Sequence, residues 1–251
     1  MEKVKISAVS YLNTLPFIYG MEEDLDFLSQ VDLQRDIPSE CARKLINNEV
    51  DLGLVPVAVI PQINNAQIVS NYCIGAIGKV KSVLLVSDVP LEEIESIYLD
   101  YHSRTSVRLC QLLSEEYWKI SSNFIKAKPG FEALIKGKTA GVIIGDRTFN
   151  LPKQFNYVYD LSEEWMKWQK LPFVFAAWVS NKPLDKQFLQ KFNQVLKLGV
   201  NNIEKAVAKY QIDLISQSAQ IEYLNNDISY NLDESKRKGL ELFLRYIQQK
   251  K

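Results

Sequence analysis

The chain has 251 residues, and its 30 lysines and arginines are balanced by 30 aspartates and glutamates, giving a formal net charge of zero. With 47% hydrophobic and 24% charged residues it has the make-up of a globular protein, which excludes disordered and fibrous classes; the lack of a basic excess argues against a nucleic-acid partner. His102 is the single histidine, which excludes paired-histidine catalysis and a histidine-rich metal site. In chain order, residues 3–9 predict a strand that ends at the polar turn Ser10-Tyr11-Leu12-Asn13. Asn13 or Thr14 then caps a short helix with Pro16 in its first turn. Residues 39–48 predict a helix, with Cys41, Ala42, Leu45 and Ile46 on one face. Asp51 opens the strand-like run LGLVPVAVI, interrupted by Pro56, and 72–87 gives two strand pieces around Gly75 and Gly78. Residues 94–100 read as a strand, Arg104 to Trp118 and 130–136 as helices, and 140–146 and 173–180 as buried strands. From Leu184 onward the pattern is nearly all helical.

This alternation is the α/β signature. The middle of the chain carries its own strands and helices, with one long apolar strand leading in and another leading out. That layout predicts two lobes joined by a double crossover: lobe one from 1–87 plus 177–251, and lobe two from 88–176. A ligand then belongs in the cleft between them, near the carboxyl ends of the strands. The three cysteines, Cys41, Cys73 and Cys110, form no C-x-x-C pair and read as reduced, buried side chains. No stretch approaches the roughly 18 unbroken apolar residues of a membrane span, and no export signal is evident near the start, so a cytoplasmic protein without membrane or nucleic-acid partners is expected. The sequence carries no sign of its oligomeric state.

Three strand-to-helix junctions place polar groups where backbone donors converge: Ser10 to Thr14, Asp100 to Ser106, and Gly145-Asp146-Arg147. The run Ser103-Arg104-Thr105-Ser106 combines hydroxyls, a guanidinium and unpaired N–H groups at a helix start, a cradle for a carboxylate or phosphate. Capping by Ser103 or Thr105, with Arg104 facing solvent, accounts for the same residues. His102 reads as structural, Asp51 as a turn residue, Glu163 and Glu164 as a solvated helix face, and Trp165 and Trp168 as core. Taken alone, these patterns stop at a two-lobed α/β binder of a small anion.

The stretches SYLNTLPF, DLGLVPVAVI, LDYHSRTSVRL, GVIIGD and LPFVFAAW, in this order over almost the whole chain, resemble the chorismate dehydratase family of the futalosine route to menaquinone. The resemblance implies the two-lobed fold of type II periplasmic binding proteins. It also implies a cofactor-independent lyase that dehydrates chorismate to 3-[(1-carboxyvinyl)oxy]benzoate, the substrate's own enolpyruvyl carboxylate serving as base. Carried onto this sequence, Asn13 and Ser82 match the family's catalytic residues. Thr105 and Ser106 are then expected to bind a carboxylate from lobe two, and Pro56, Val57 and Ala58 lie where related proteins line the first-lobe wall. Tyr11, Ser103, Arg104 and Gly145 complete the expected substrate-binding set. Where the family often reads P-V-S-S, this chain has Pro56-Val57-Ala58-Val59, which removes two hydroxyls from the first-lobe wall. The sister family of 1,4-dihydroxy-6-naphthoate synthases is marked by a histidine base in an I-H-E-like motif; the matching Ile144-Gly145-Asp146 has none. A solute-binding protein that captures a small anion without turning it over is the rival from a different class.

Overall fold

The computed structural model describes residues 3–151 and 154–249. The chain runs β1 (Val4–Val9), α1 (Leu15–Glu23), α2 (Leu25–Ser29), β2 (Val31–Asp36), α3 (Pro38–Ile46), β3 (Leu52–Pro56), β4 (Gln67–Ala76) and β5 (Val83–Ser87). It continues through β6 (Ser96–Leu99), α4 (Arg104–Leu112), β7 (Asn123–Lys126), β8 (Thr139–Ile144), β9 (Tyr157–Asp160), α5 (Leu161–Gln169) and β10 (Phe173–Ser180). It closes with α6 (Lys186–Val200), α7 (Ile203–Tyr210), α8 (Gln217–Asn226), β11 (Ser229–Asn231) and α9 (Glu234–Gln249).

Two sheets result. The first has six strands in the order β11-β4-β10-β3-β1-β2, with β1 parallel to β2 and β3, and β10 antiparallel to β3 and β4. The second has five strands in the order β7-β6-β8-β5-β9, with β5 antiparallel to both neighbours. Strands β3 and β10 are buried along their whole length, as expected of unbroken apolar runs flanked on both faces.

Sheet membership moves both expected lobe boundaries. Residues 83–87, expected in lobe one, form β5 and pair with β8 and β9 of the second sheet. Residues 173–176, expected in lobe two, belong to β10 of the first sheet. The crossovers therefore lie at 77–82 and 170–172. An apolar run looks the same in either sheet, and only its hydrogen-bonding partner decides between them. The other differences are local. The strand begun at Leu52 stops at Pro56, and 57–62 turn into a 3-10 segment, because proline cannot donate to a ladder. Helix α4 ends at Leu112 and continues to Tyr117 only as a π turn, and the helix expected at 130–136 is a single 3-10 turn.

Helices α1 and α6 cross with almost no separation. A Cβ on Gly20 would sit 1.9 Å from the Val195 carbonyl oxygen, and one on Gly199 would sit 1.6 Å from that of Pro16. Only glycine permits this contact, and it seats the segment carrying Asn13 rigidly on the first lobe. Trp178 on β10 is fully buried against Phe17 of α1 and Phe192 of α6, tying the central strand to the same pair of helices.

Candidate functional site

The cleft residues come from the ends of strands, where the chain leaves a rigid ladder. After β1, a 3-10 turn over 12–14 holds Asn13, and Tyr230 donates to the Asn13 carbonyl at 3.1 Å. Ser82 lies at the first crossover, just before β5. The Asp160 carboxylate fixes that crossover by accepting from the N–H groups of Val80 (2.9 Å) and Lys81 (2.7 Å) while also capping α5. The Ser82 carbonyl accepts from the N–H of Gly145 at 2.9 Å, and its side chain accepts from the buried Tyr223 hydroxyl at 2.7 Å. Burial raises the pKa of the Tyr223 phenol, which keeps it a donor. Ser103 caps α4 by accepting from the Ser106 N–H at 3.3 Å, and the Ser106 hydroxyl also reaches Ser103 Oγ at 3.3 Å.

Asn13, Pro56, Ser82, Ser103, Ser106 and Gly145 converge on one small interlobe cavity of about 50 Å³. Its remaining walls are mostly apolar and include Ile74, Val83, Ile144 and Phe175. The capping expected of Ser103 is present, and Ser103 also lines the cavity together with Ser106, whereas Arg104 and Thr105 of the same run do not. The other expected residues lie elsewhere. Thr105 and Ala58 are paired with each other across the lobes, the Ala58 N–H donating to Thr105 Oγ1 at 3.1 Å. Val57 is buried in the main hydrophobic core. Arg104 faces a second, larger cavity on the other side of Ser103, which Ala58 also borders.

Tyr11 belongs to a seam that holds the lobes together. Its hydroxyl bonds His102 Nδ1, and its ring stacks on the imidazole. Burial raises the pKa of Tyr11 and lowers that of His102, with the Arg147 charge adding to the latter, so the pair is neutral and the phenol donates. The His102 carbonyl also accepts from Ser39 N–H at 3.0 Å. Beside it, Asp146 accepts from the Leu12 N–H at 3.1 and 3.2 Å through its two oxygens, and burial pushes its pKa up to about 6, the Leu12 bond offsetting only part of this. Gly145 has φ of +65°, and a Cβ there would lie 2.7 Å from the Tyr11 ring. Arg147 pairs with the buried Asp100 and with Glu132 at 2.6 Å, and Asp100 also accepts from the N–H groups of His102 and Ile144.

Sequence reasoning missed Tyr223, Asp146 and Phe175. Tyr223 sits on α8, 141 residues from Ser82, and no local pattern marks it. Asp146 stood in a flagged junction but without a partner, since Leu12 meets it only across the lobes. Glu164, expected on a solvated face, is instead buried: it accepts from Trp118 Nε1 at 3.0 Å and pairs with Lys167 at 2.8 Å.

A family model described as menaquinone biosynthesis matches residues 4–249. A protein of Thermus thermophilus named chorismate dehydratase is 26% identical over 227 residues, covering 82% of this chain and 83% of that one. Among solved structures, a protein of Archaeoglobus fulgidus superposes with a TM-score of 0.73 at 14% identity, over 99% of this chain and 97% of the other. A Candida albicans protein described as having the generic periplasmic binding protein fold gives 0.63 at 10% identity, over 99% and 91%. The alkanesulfonate-binding protein SsuA of Xanthomonas axonopodis pv. citri gives 0.61 at 12%, over 99% and 94%. The architecture is thus the two-lobed periplasmic-binding-protein-like fold expected from the sequence. Among the described residues no helix is long and apolar enough to cross a membrane.

Proposed function

The chain belongs to the menaquinone-biosynthesis family, and from that premise we propose that it is a chorismate dehydratase, acting without a cofactor. The observation that carries the reading is the meeting of Asn13 and Ser82 with Ser103, Ser106 and Gly145 in one cavity between the lobes. Chorismate brings two carboxylates, a ring hydroxyl and an apolar ring. Hydroxyl and amide donors on one side and the Phe175, Ile74 and Ile144 walls on the other suit such a molecule.

In this reading the ring hydroxyl leaves with the electron pair of its C–O bond. The neighbouring ring C–H gives up its proton to the enolpyruvyl carboxylate, and the C–H pair becomes the last double bond of the benzene ring. Hydroxide and the proton leave together as water. Asn13 donates to the departing hydroxyl or steadies the carboxylate that takes the proton. Ser82, with its lone pair engaged by Tyr223, turns its own hydrogen toward a substrate carboxylate. Aromatisation supplies the driving force, so the protein's part is orientation and exclusion of water. The enclosed space of about 50 Å³ is far below the roughly 300 Å³ and more of typical ligand sites, so the lobes separate to admit substrate and close around it.

The relative named chorismate dehydratase supports this assignment, and so does the missing histidine at Ile144-Gly145-Asp146, the position of the sister enzyme's base. Purified protein incubated with chorismate is expected to release 3-[(1-carboxyvinyl)oxy]benzoate, seen as an aromatic ultraviolet band and by mass spectrometry. Folded protein that binds chorismate and returns it unchanged would make it a binding protein instead.

A further inference from the structure

The cavity on the far side of Ser103 is much the larger, at about 650 Å³, and its charge is one-sided. Arg104 and Arg108 reach it from α4, and Lys126 from the end of β7. Among the described residues none of the three pairs with a carboxylate: Arg104 donates to Gln62 at 3.3 Å and Arg108 to Gln111 at 3.3 Å. The one acid in the lining, Asp100, is buried and already neutralised by Arg147. Three unpaired cations in one cavity of a chain with no net charge form a local positive field. Val107, Leu99, Pro61 and Ile247 add an apolar floor.

The position of this cavity matters as much as its charge. Ser103 borders both cavities, and Ala58, whose N–H donates to Thr105 Oγ1 across the lobes, borders the larger one. That bond joins the lobes, so separating the lobes breaks it at the edge of the larger cavity.

We propose that this cavity is a capture vestibule for a small organic dianion with an apolar ring, which Arg104, Arg108 and Lys126 hold at the mouth of the cleft before the lobes close. In the functional reading above, on which its biological use rests, that dianion is chorismate. Charges of one sign beside a low-dielectric cleft raise the local concentration of an oppositely charged ligand, and salt screens them over roughly 10 Å at 0.1 M.

The test compares the full-length protein with the Arg108→Gln/Lys126→Gln double variant, each confirmed folded by circular dichroism. At low ionic strength kcat/KM for chorismate is expected to fall about fivefold or more in the variant, with KM carrying the loss. The difference should vanish toward 0.5 M salt. A variant with the wild-type kcat/KM and the same salt dependence overturns the vestibule. Calorimetric titration with isophthalate, a rigid aromatic dianion, gives a readout that needs no turnover. Binding weakened about tenfold in the variant supports the vestibule, and equal affinity overturns it even if the wild type proves inactive on chorismate. Wild-type inactivity would count against the functional reading alone.

Discussion

Tyr223 on α8 donates its phenolic hydrogen to Ser82 Oγ at 2.7 Å, joining the C-terminal part of the chain to the first crossover. The bond orients the serine: with a lone pair engaged, its own hydrogen is left to point into the cavity. Tyr223→Phe deletes that orientation without emptying the site, and is expected to slow turnover about tenfold while lowering stability by about 1 kcal/mol. Ser82→Ala should slow turnover by at least as much, because it removes the donor itself. The double variant should be no worse than Ser82→Ala, since the two residues act through one group. Steady-state kinetics on the three proteins checks this, and additive losses would separate the two roles.

Asn13 is held by its backbone, through Tyr230, and by Thr14, whose hydroxyl donates to its Oδ1 at 3.2 Å, while the residue lines the cavity. Asn13→Ala is expected to cut turnover by about a hundredfold or more with little change in melting temperature, the scale of losing a donor that acts in the transition state. Asn13→Asp should be as damaging, because it adds an anion beside a dianionic substrate. A rate near wild type in either variant, measured with chorismate at saturation, would remove Asn13 from the chemistry.

Asp146 gives the protein a pH dependence. Burial lifts its carboxyl from 3.8 to about 6, so the folded chain keeps a proton that the unfolded chain has lost. Stability from this group therefore falls as pH rises from about 4 to about 6, and above that range the buried charge is a standing cost. Asp146→Asn keeps an oxygen to accept the Leu12 N–H but cannot ionise. The variant is expected to match the wild type at pH 4 and to exceed it by about 2 kcal/mol at pH 8. Melting curves at the two pH values decide it; an equal gap at both would mean that Asp146 does not titrate on folding.

Gly145→Ala tests the seam. The new Cβ must adopt a left-handed conformation and meets the Tyr11 ring at 2.7 Å. Strain and clash together are expected to cost about 1–3 kcal/mol, paid mainly by the closed arrangement. Turnover should drop about tenfold or more, and small-angle scattering should report a larger radius of gyration. Unchanged scattering together with unchanged turnover would show that Tyr11 moves aside at no cost.

Much of this molecule was legible before its structure, and what was hidden has physical reasons. The buried strands announced themselves because β3, β8 and β10 are unbroken apolar runs. The edge strands β2, β7 and β9 did not: each is polar or largely exposed, with at most one buried residue to mark a period. At the site, residues carried over as short contiguous motifs, Asn13, Ser82, Ser103 and Ser106, arrive at one cavity. Arg104 and Thr105 share the motif with Ser103 but turn away, because successive helical residues point about 100° apart. Tyr223 and Asp146 depend on contacts across more than a hundred residues, which no window along the chain contains.

The place of β10 has a further consequence for how the chain is made. It sits between β3 and β4 in the first sheet, yet it leaves the ribosome only after the whole second lobe. Until residue 180 is synthesised, the facing edges of β3 and β4 have no partner, and the first lobe stays an open sheet with an adhesive gap at its centre. Lobe two, continuous in sequence up to α5, is free to fold first and then deliver the missing strand. A fragment of residues 1–172, free of the ribosome, should accordingly show a protease-resistant second lobe and a first lobe that is still digested.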